Sequence, residues 1–237
     1  GDVEGGAITY HSFEKHPRNP LILPDGPADL SLVNLYGTIL ERTGGGLRMW
    51  YTSHSIGDYG GRYHVLYAES DDGLAWAKPD LGAIEFDGSV HNNLVDFGTG
   101  SHIIHRPEIP DPARRYVRYV QYATQGTFAS YSPDGINWQR DTNPLFVGSD
   151  AASPTYDPRT QRYHVVTIED RAIGAFVRRS PAFSTSEDGI EWSQFRPALW
   201  ADARDDRNAF RNLTRVREVL SYDYPDHFHS EFNDVKP

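Results

Sequence analysis

Carboxylates stand at the points where strand-like segments begin, and their type and placement suit acid–base chemistry. Asp25 and Asp29 come before the segment Tyr36-Gly37-Thr38, Asp150 leads into 151–156, and Glu231 lies in HSEFND at 229–234. Cleaving a glycosidic bond passes through an oxocarbenium-like state. It needs one protonated carboxyl at the leaving oxygen and one ionised carboxylate opposite. Burial and neighbouring charge must push the two pKa values apart. Asp29, Asp150 and Glu231 are the catalytic candidates, with Glu231 as the general acid. Asp25 sits in PDGP, an ordinary turn sequence, and is expected at the substrate.

Histidines and arginines supply the remaining candidates. His102 and His105 flank two isoleucines, so two-residue alternation separates them, and His102 is the one expected to reach a ligand. His229 lies two residues from both His227 and Glu231 and could share a face with them. No spacing is diagnostic of a metal, so no metal ligand is assigned and no cofactor is required. Calcium or another divalent ion, structural or central, is the alternative, and Asp202, Asp205 and Asp206 form a loop cluster of suitable type. Arg106 and Arg179 could hold a carboxylated or sulfated sugar through paired hydrogen bonds.

The elements that must position these groups show themselves as a repeat. Ser-x-Asp-Gly-x-x-Trp occurs three times: from Ser70 to Trp76, Ser132 to Trp138 and Ser186 to Trp192. Asp-Gly between β-rich segments marks a tight turn, because glycine accepts positive φ. Strand-like runs precede each copy at 63–67, 127–131 and 182–186. Asp111-Pro112 and Asp157-Pro158 mark an earlier turn in two units, and Gly44-Gly45-Gly46 replaces it in the other. Each unit therefore predicts four strands, with the Trp opening the outermost. The expected fold is all-β, a single β-propeller domain over 1–237 with four-stranded blades near 31–88, 95–147 and 150–200. A fourth blade is expected to begin at 221–237. Later blades are then expected to be absent, with an oligomer or a second fragment completing the ring.

Composition narrows the partners. Aromatic residues make up 13% of the chain, including 14 Tyr and 5 Trp, which argues against a disordered chain and suits stacking on sugar rings. The net charge of −10 argues against a nucleic-acid backbone as partner. Cysteine is lacking, so disulfides, thiolate zinc sites and a cysteine nucleophile are excluded. No apolar run is long enough for a membrane helix. The chain begins at Gly1, consistent with an export signal already removed, so a periplasmic or secreted location is favoured over a cytoplasmic one. Neither a Gly-x-Ser-x-Gly elbow nor a Walker loop is found.

Several runs are similar to a known group. KHPRNPLILPD at 15–25, YGTIL at 36–40, MWY at 49–51 and LYAESDDG at 66–73 resemble bacterial glycosyl hydrolases of the family 32-like and family 43-like kind. LGAIEFDGS at 81–89 with Asn92-Asn93, DPARRY at 111–116 and ADARDD at 201–206 extend the resemblance over most of the chain. It implies a five-bladed propeller whose inner strands carry three carboxylates around a central funnel, acting as base or nucleophile, stabiliser and acid. Asp150 stands where related proteins carry an Asp. The expected function is hydrolysis of a glycosidic bond in an oligo- or polysaccharide. Two alternatives are a polysaccharide lyase using His102 and Tyr36 with Arg179, and a non-catalytic glycan-binding propeller.

Overall fold

In a computed structural model, residues 11–55, 63–107, 109–122, 126–146, 149–173 and 176–199 are described. They form an all-β fold of three antiparallel four-stranded sheets, each built from strands consecutive in the chain. The first contains β1 (Leu32–Glu41), β2 (Leu47–His54), β3 (Tyr63–Ser70) and β4 (Leu94–Phe97). The second contains β5 (Thr99–His105), β6 (Tyr116–Tyr122), β7 (Gly126–Ser132) and β8 (Gln139–Phe146). The third contains β9 (Ser149–Asp157), β10 (Arg162–Ile173), β11 (Phe176–Ser186) and β12 (Arg196–Pro197). A single 3₁₀ turn at Pro112–Arg114 is the one helical element among the described residues, capped by the Asp111 carboxylate. The leading strands of the three sheets adjoin, β1 against β5 and β5 against β9.

The three Asp-Gly turns share one hydrogen-bond pattern, which is why the repeat is visible in the sequence. The Gly73, Gly135 and Gly189 amides each donate to the Ser three residues earlier at 2.8 Å. The Asp72, Asp134 and Asp188 carboxylates each accept from the two amides that follow the glycine. Those amides, led by that of Ala75, hold the Asp72 carboxyl below its usual range. The glycines sit at φ of 74°, 84° and 75°, where a Cβ is strained.

The first sheet departs from the expected strand pattern. After its turn only Ala77 bridges back, to Glu69, and the outer strand is β4, far along the chain. Pro79 and the positive φ of Gly82 and Gly88 lie in the loop between. Phe97, expected near the start of the second blade, thus ends the first sheet.

Three apolar layers hold the stack. Trp50, Val65, Tyr67 and Val95 meet Ile103, Tyr116 and the partly buried Trp138 between the first and second sheets. Ile104, Val117, Tyr119 and Tyr131 meet Tyr163 and the partly buried Trp192 between the second and third. The outer flank of the first sheet is covered by the chain's own leading segment, with Ala28 packed on Met49, Tyr51, Leu66 and Leu94. Each fully buried large apolar side chain contributes about 1.5–3 kcal/mol.

The layers also interlock by hydrogen bonds. Trp50 Nε1 donates to the Gly135 carbonyl at 2.6 Å, and the Tyr119 hydroxyl donates to the Gly189 carbonyl. The first and second sheets thus each grip the turn of the sheet that follows. No helix among the described residues is long and apolar enough to cross a membrane.

Candidate functional site

The adjoining leading strands carry the site. β1 bulges between Asn34 and Thr38, and β5 is irregular between Thr99 and His102. Such breaks re-aim side chains that regular pairing would hold to alternate faces. Tyr36 lies within the first bulge and His102 at the end of the second irregularity. Their rings stand 6.1 Å apart between centroids, tilted by 57°. Ser153, on β9, brings its hydroxyl to 3.3 Å from His102 Nε2. A Cβ added at Gly100, at φ 77°, would meet the His102 and Tyr36 rings at 3.8 and 3.9 Å. The strands are tied together close by, where the Ile103 amide donates to Thr38 Oγ1 at 2.9 Å.

Burial holds the His102 imidazole below its ordinary value of 6.5, so it is neutral at neutral pH. Tyr36 remains 38% exposed. A neutral imidazole beside an exposed phenol and a hydroxyl can accept a proton, donate hydrogen bonds to sugar hydroxyls, or flank a sugar ring. Three groups from three sheets meet here.

Of the predicted carboxylates, Asp25 and Asp29 lie away from this meeting point. Asp29 has a fully buried side chain on the outer flank of the first sheet. It accepts from the Gly26 amide at 2.7 Å, from the Tyr51 hydroxyl at 2.9 Å and from Lys78 Nζ. Lys78 also bonds the exposed Asp25 at 2.6 Å, which lowers the Asp25 pKa, and the Leu23 carbonyl at 2.6 Å. Burial, with Asp29 beside it, pushes the Tyr51 hydroxyl pKa up. The structure therefore brings Asp25 and Asp29 together on one lysine, against Tyr51 and not against His102.

Asp150 lies in β9 opposite Ile168, three residues before Ser153 on the same leading strand, and its side chain is outside the described residues. Arg179 pairs with Asp170 in the β10–β11 ladder, and its side chain is likewise outside them. Glu231 and His229 fall outside the described residues altogether, as does the loop cluster at 202–206. Arg106 follows the C-terminal end of β5 and is 5% exposed. Its guanidinium donates to the Arg114 carbonyl at 2.9 Å and the Asp188 carbonyl at 3.3 Å, clamping the third turn to the second sheet. Beside it a cavity of about 380 Å³ lies between these sheets, lined by Tyr131, Tyr156 and Tyr163 among others.

Lys78 and Ser153 were missed in the sequence. Lys78 carried no signal, since its partners lie about 50 residues away. Ser153 had one: it sits mid-strand in the third unit, as His102 does in the second. Among the described residues no group of three His, Asp or Glu is placed to hold a metal.

No family model matches this chain, and no curated protein matches it. Solved structures do. One is a protein of the GH130 family, described with mannoside phosphorylases and glycoside hydrolases that target beta-1,2 mannosidic linkages in Candida mannan; it is 15% identical with a TM-score of 0.44, over 70% of this chain and 52% of that one. A second is a glycosyl hydrolase from Bacteroides ovatus, 16% identical with a TM-score of 0.44 and the same coverage. A third is an N-acetylgalactosamine deacetylase from F. plautii, 18% identical with a TM-score of 0.45, over 78% of this chain and 57% of that one. All three are named for action on sugars. The chain spans about half the length of these structures.

Proposed function

We propose that the chain is a carbohydrate-active β-propeller protein that holds a glycan over the meeting point of β1, β5 and β9 and cleaves a glycosidic bond there. The supporting observation is the convergence of Tyr36, His102 and Ser153 from three successive sheets onto one place. Tyr36 supplies an exposed aromatic surface for a sugar ring, and His102 and Ser153 supply hydrogen bonds to its hydroxyls. In this reading Asp150, on the same strand as Ser153, is the ionised carboxylate and Glu231 the general acid. Two such groups suffice for hydrolysis, so Asp29 can be spent on the scaffold.

A second reading, elimination from a uronate-containing chain, is favoured by one observation. The neutral His102 beside Tyr36 is an acid–base pair of the kind that removes a proton next to a carboxyl group. Assays for new reducing ends and for ultraviolet-absorbing unsaturated products over a glycan panel separate the two. Hydrolysis predicts reducing ends without unsaturation, with activity falling about 10²–10⁴-fold in Asp150→Asn and Glu231→Gln. Elimination predicts unsaturated products and the same loss in His102→Gln and Tyr36→Phe, with Asp150→Asn active. Glycan binding without either product would sink both and leave a binding module.

A further inference from the structure

The first two sheets each set an arginine just past the leading strand, and only one of the two has its charge matched. Arg42 follows β1 and Arg106 follows β5. Their amides close the same turn, donating to the Gly46 and Arg115 carbonyls at 2.9 and 2.8 Å. Each guanidinium also donates to the carbonyl one residue earlier, that of Gly45 or Arg114. In the first sheet Arg42 pairs with Glu69 at 2.7 Å and Asp71 at 2.5 Å, the residues on either side of Ser70. In the second sheet the residues on either side of Ser132 are Tyr131 and Pro133. Both carboxylates are replaced, while the cation stays and is buried.

Arg106 lines the cavity of about 380 Å³ between the second and third sheets, a size that suits a small ligand. Its Nη atoms donate to carbonyl oxygens, and its Nε is buried with no hydrogen-bond partner among the described residues. Arg114, on the same wall, lays its guanidinium 4.1 Å from the centre of the Tyr131 ring and has no carboxylate partner among the described residues. The acids of the lining are occupied. Glu187 pairs with Arg162 at 2.6 Å, and Asp188 accepts from the Ile190 and Glu191 amides of its turn. The remaining wall is aromatic, with the rings of Tyr163 and the partly exposed Tyr156 standing 4.9 Å apart between centroids. Such rings take the C–H face of a sugar, and guanidinium takes a carboxylate or sulfate.

We propose that this cavity is a second carbohydrate site, which binds an anionic sugar with its carboxylate or sulfate on Arg106 and Arg114 and its ring against Tyr156. The ligand's charge takes the place that Glu69 and Asp71 fill for Arg42. The choice of a sugar rests on the carbohydrate reading above, and the choice of an anion rests on the repeat. The site stands apart from Tyr36, His102 and Ser153. Arg106 comes four residues after His102, and Tyr156 three after Ser153, about 10–13 Å along the strands.

Calorimetric titration of the full chain with glucuronate, galactose 6-sulfate, glucose and inorganic sulfate tests this. At least one anionic sugar is expected to bind about ten-fold or more tightly than glucose and inorganic sulfate, and Arg114→Gln to weaken it about ten-fold, the loss of one charge-assisted bond. Preference for glucuronate assigns a carboxylate, and preference for galactose 6-sulfate assigns a sulfate. Tyr131→Glu should abolish this binding by restoring the ion pair of the first sheet, whereas Tyr131→Gln should keep the preference for the charged sugar. Arg114 is exposed, so its variant decides the matter if a Tyr131 variant does not fold. His102→Gln should leave every affinity unchanged. Glucose bound as tightly as both charged sugars, inorganic sulfate bound as tightly as galactose 6-sulfate, or no binding at all would overturn the proposal. So would an affinity that Arg114→Gln spares or His102→Gln removes. A chain that cleaves no glycan can still pass this test, so the two readings fail separately.

Discussion

Two polar regions of this molecule are built in opposite ways. Around Asp29 a fully buried carboxylate is met by an ammonium, a backbone amide and a phenol, so its charge is matched and its acceptors occupied. Around His102 the contacts are sparse: one hydroxyl at 3.3 Å, one tilted ring and partial exposure. A buried charge with every bond made has no capacity left for a substrate and acts as scaffold. A neutral, half-satisfied imidazole beside an exposed ring keeps its capacity for a ligand. Burial alone therefore does not mark a site; unspent hydrogen bonding at an opening does.

Removing the cation tests the scaffold side most severely. Lys78→Met leaves Asp29 buried and unpaired and should cost about 3–5 kcal/mol in urea denaturation. Adding Asp29→Leu should recover much of that loss, because no charge then remains buried. Recovery failing to appear would mean that the pair acts through something other than charge compensation. Any glycan cleavage per folded molecule should survive in the double variant.

The turn glycine ranks next. A Cβ on Gly135 would lie 2.6 Å from the Trp50 ring, at a φ of 84°. Gly135→Ala should therefore destabilise by about 1–3 kcal/mol, read as a lowered denaturation midpoint. An unchanged midpoint would show that the seam between the first two sheets is loose.

The smallest effect on stability belongs to the site. An unfolded imidazole takes up its proton near 6.5, whereas folded His102 does so only at lower pH. Its contribution is fully present above the unfolded value and is lost as pH falls from there through the folded value. His102→Gln should flatten that part of the stability–pH curve while leaving neutral-pH stability nearly unchanged. Parallel curves for the two proteins would remove the burial assigned to His102.

The all-β build was legible because its signal is local. Ser70, Asp72 and Gly73 close their turn through neighbours within a few residues, and the same chemistry recurs at Ser132 and Ser186. His102 was singled out from alternation along one strand, and the structure sets it beside Tyr36 and Ser153. Lys78 was not, since nothing near it announces Asp25 or Asp29 from the far side of the first sheet. The outer strand of that sheet was misplaced for a related reason: its position depends on how the 71–93 loop folds back, not on the residues that follow Trp76.

The Gly135 carbonyl receives two indoles, Trp138 from its own turn and Trp50 from the sheet before it. Separating the first two sheets would release Trp50 into water while the Trp138 bond, internal to its turn, could persist. Intrinsic emission from a protein retaining only those two indoles would then report the parting of one seam apart from general melting, an optical gauge already wired into the architecture.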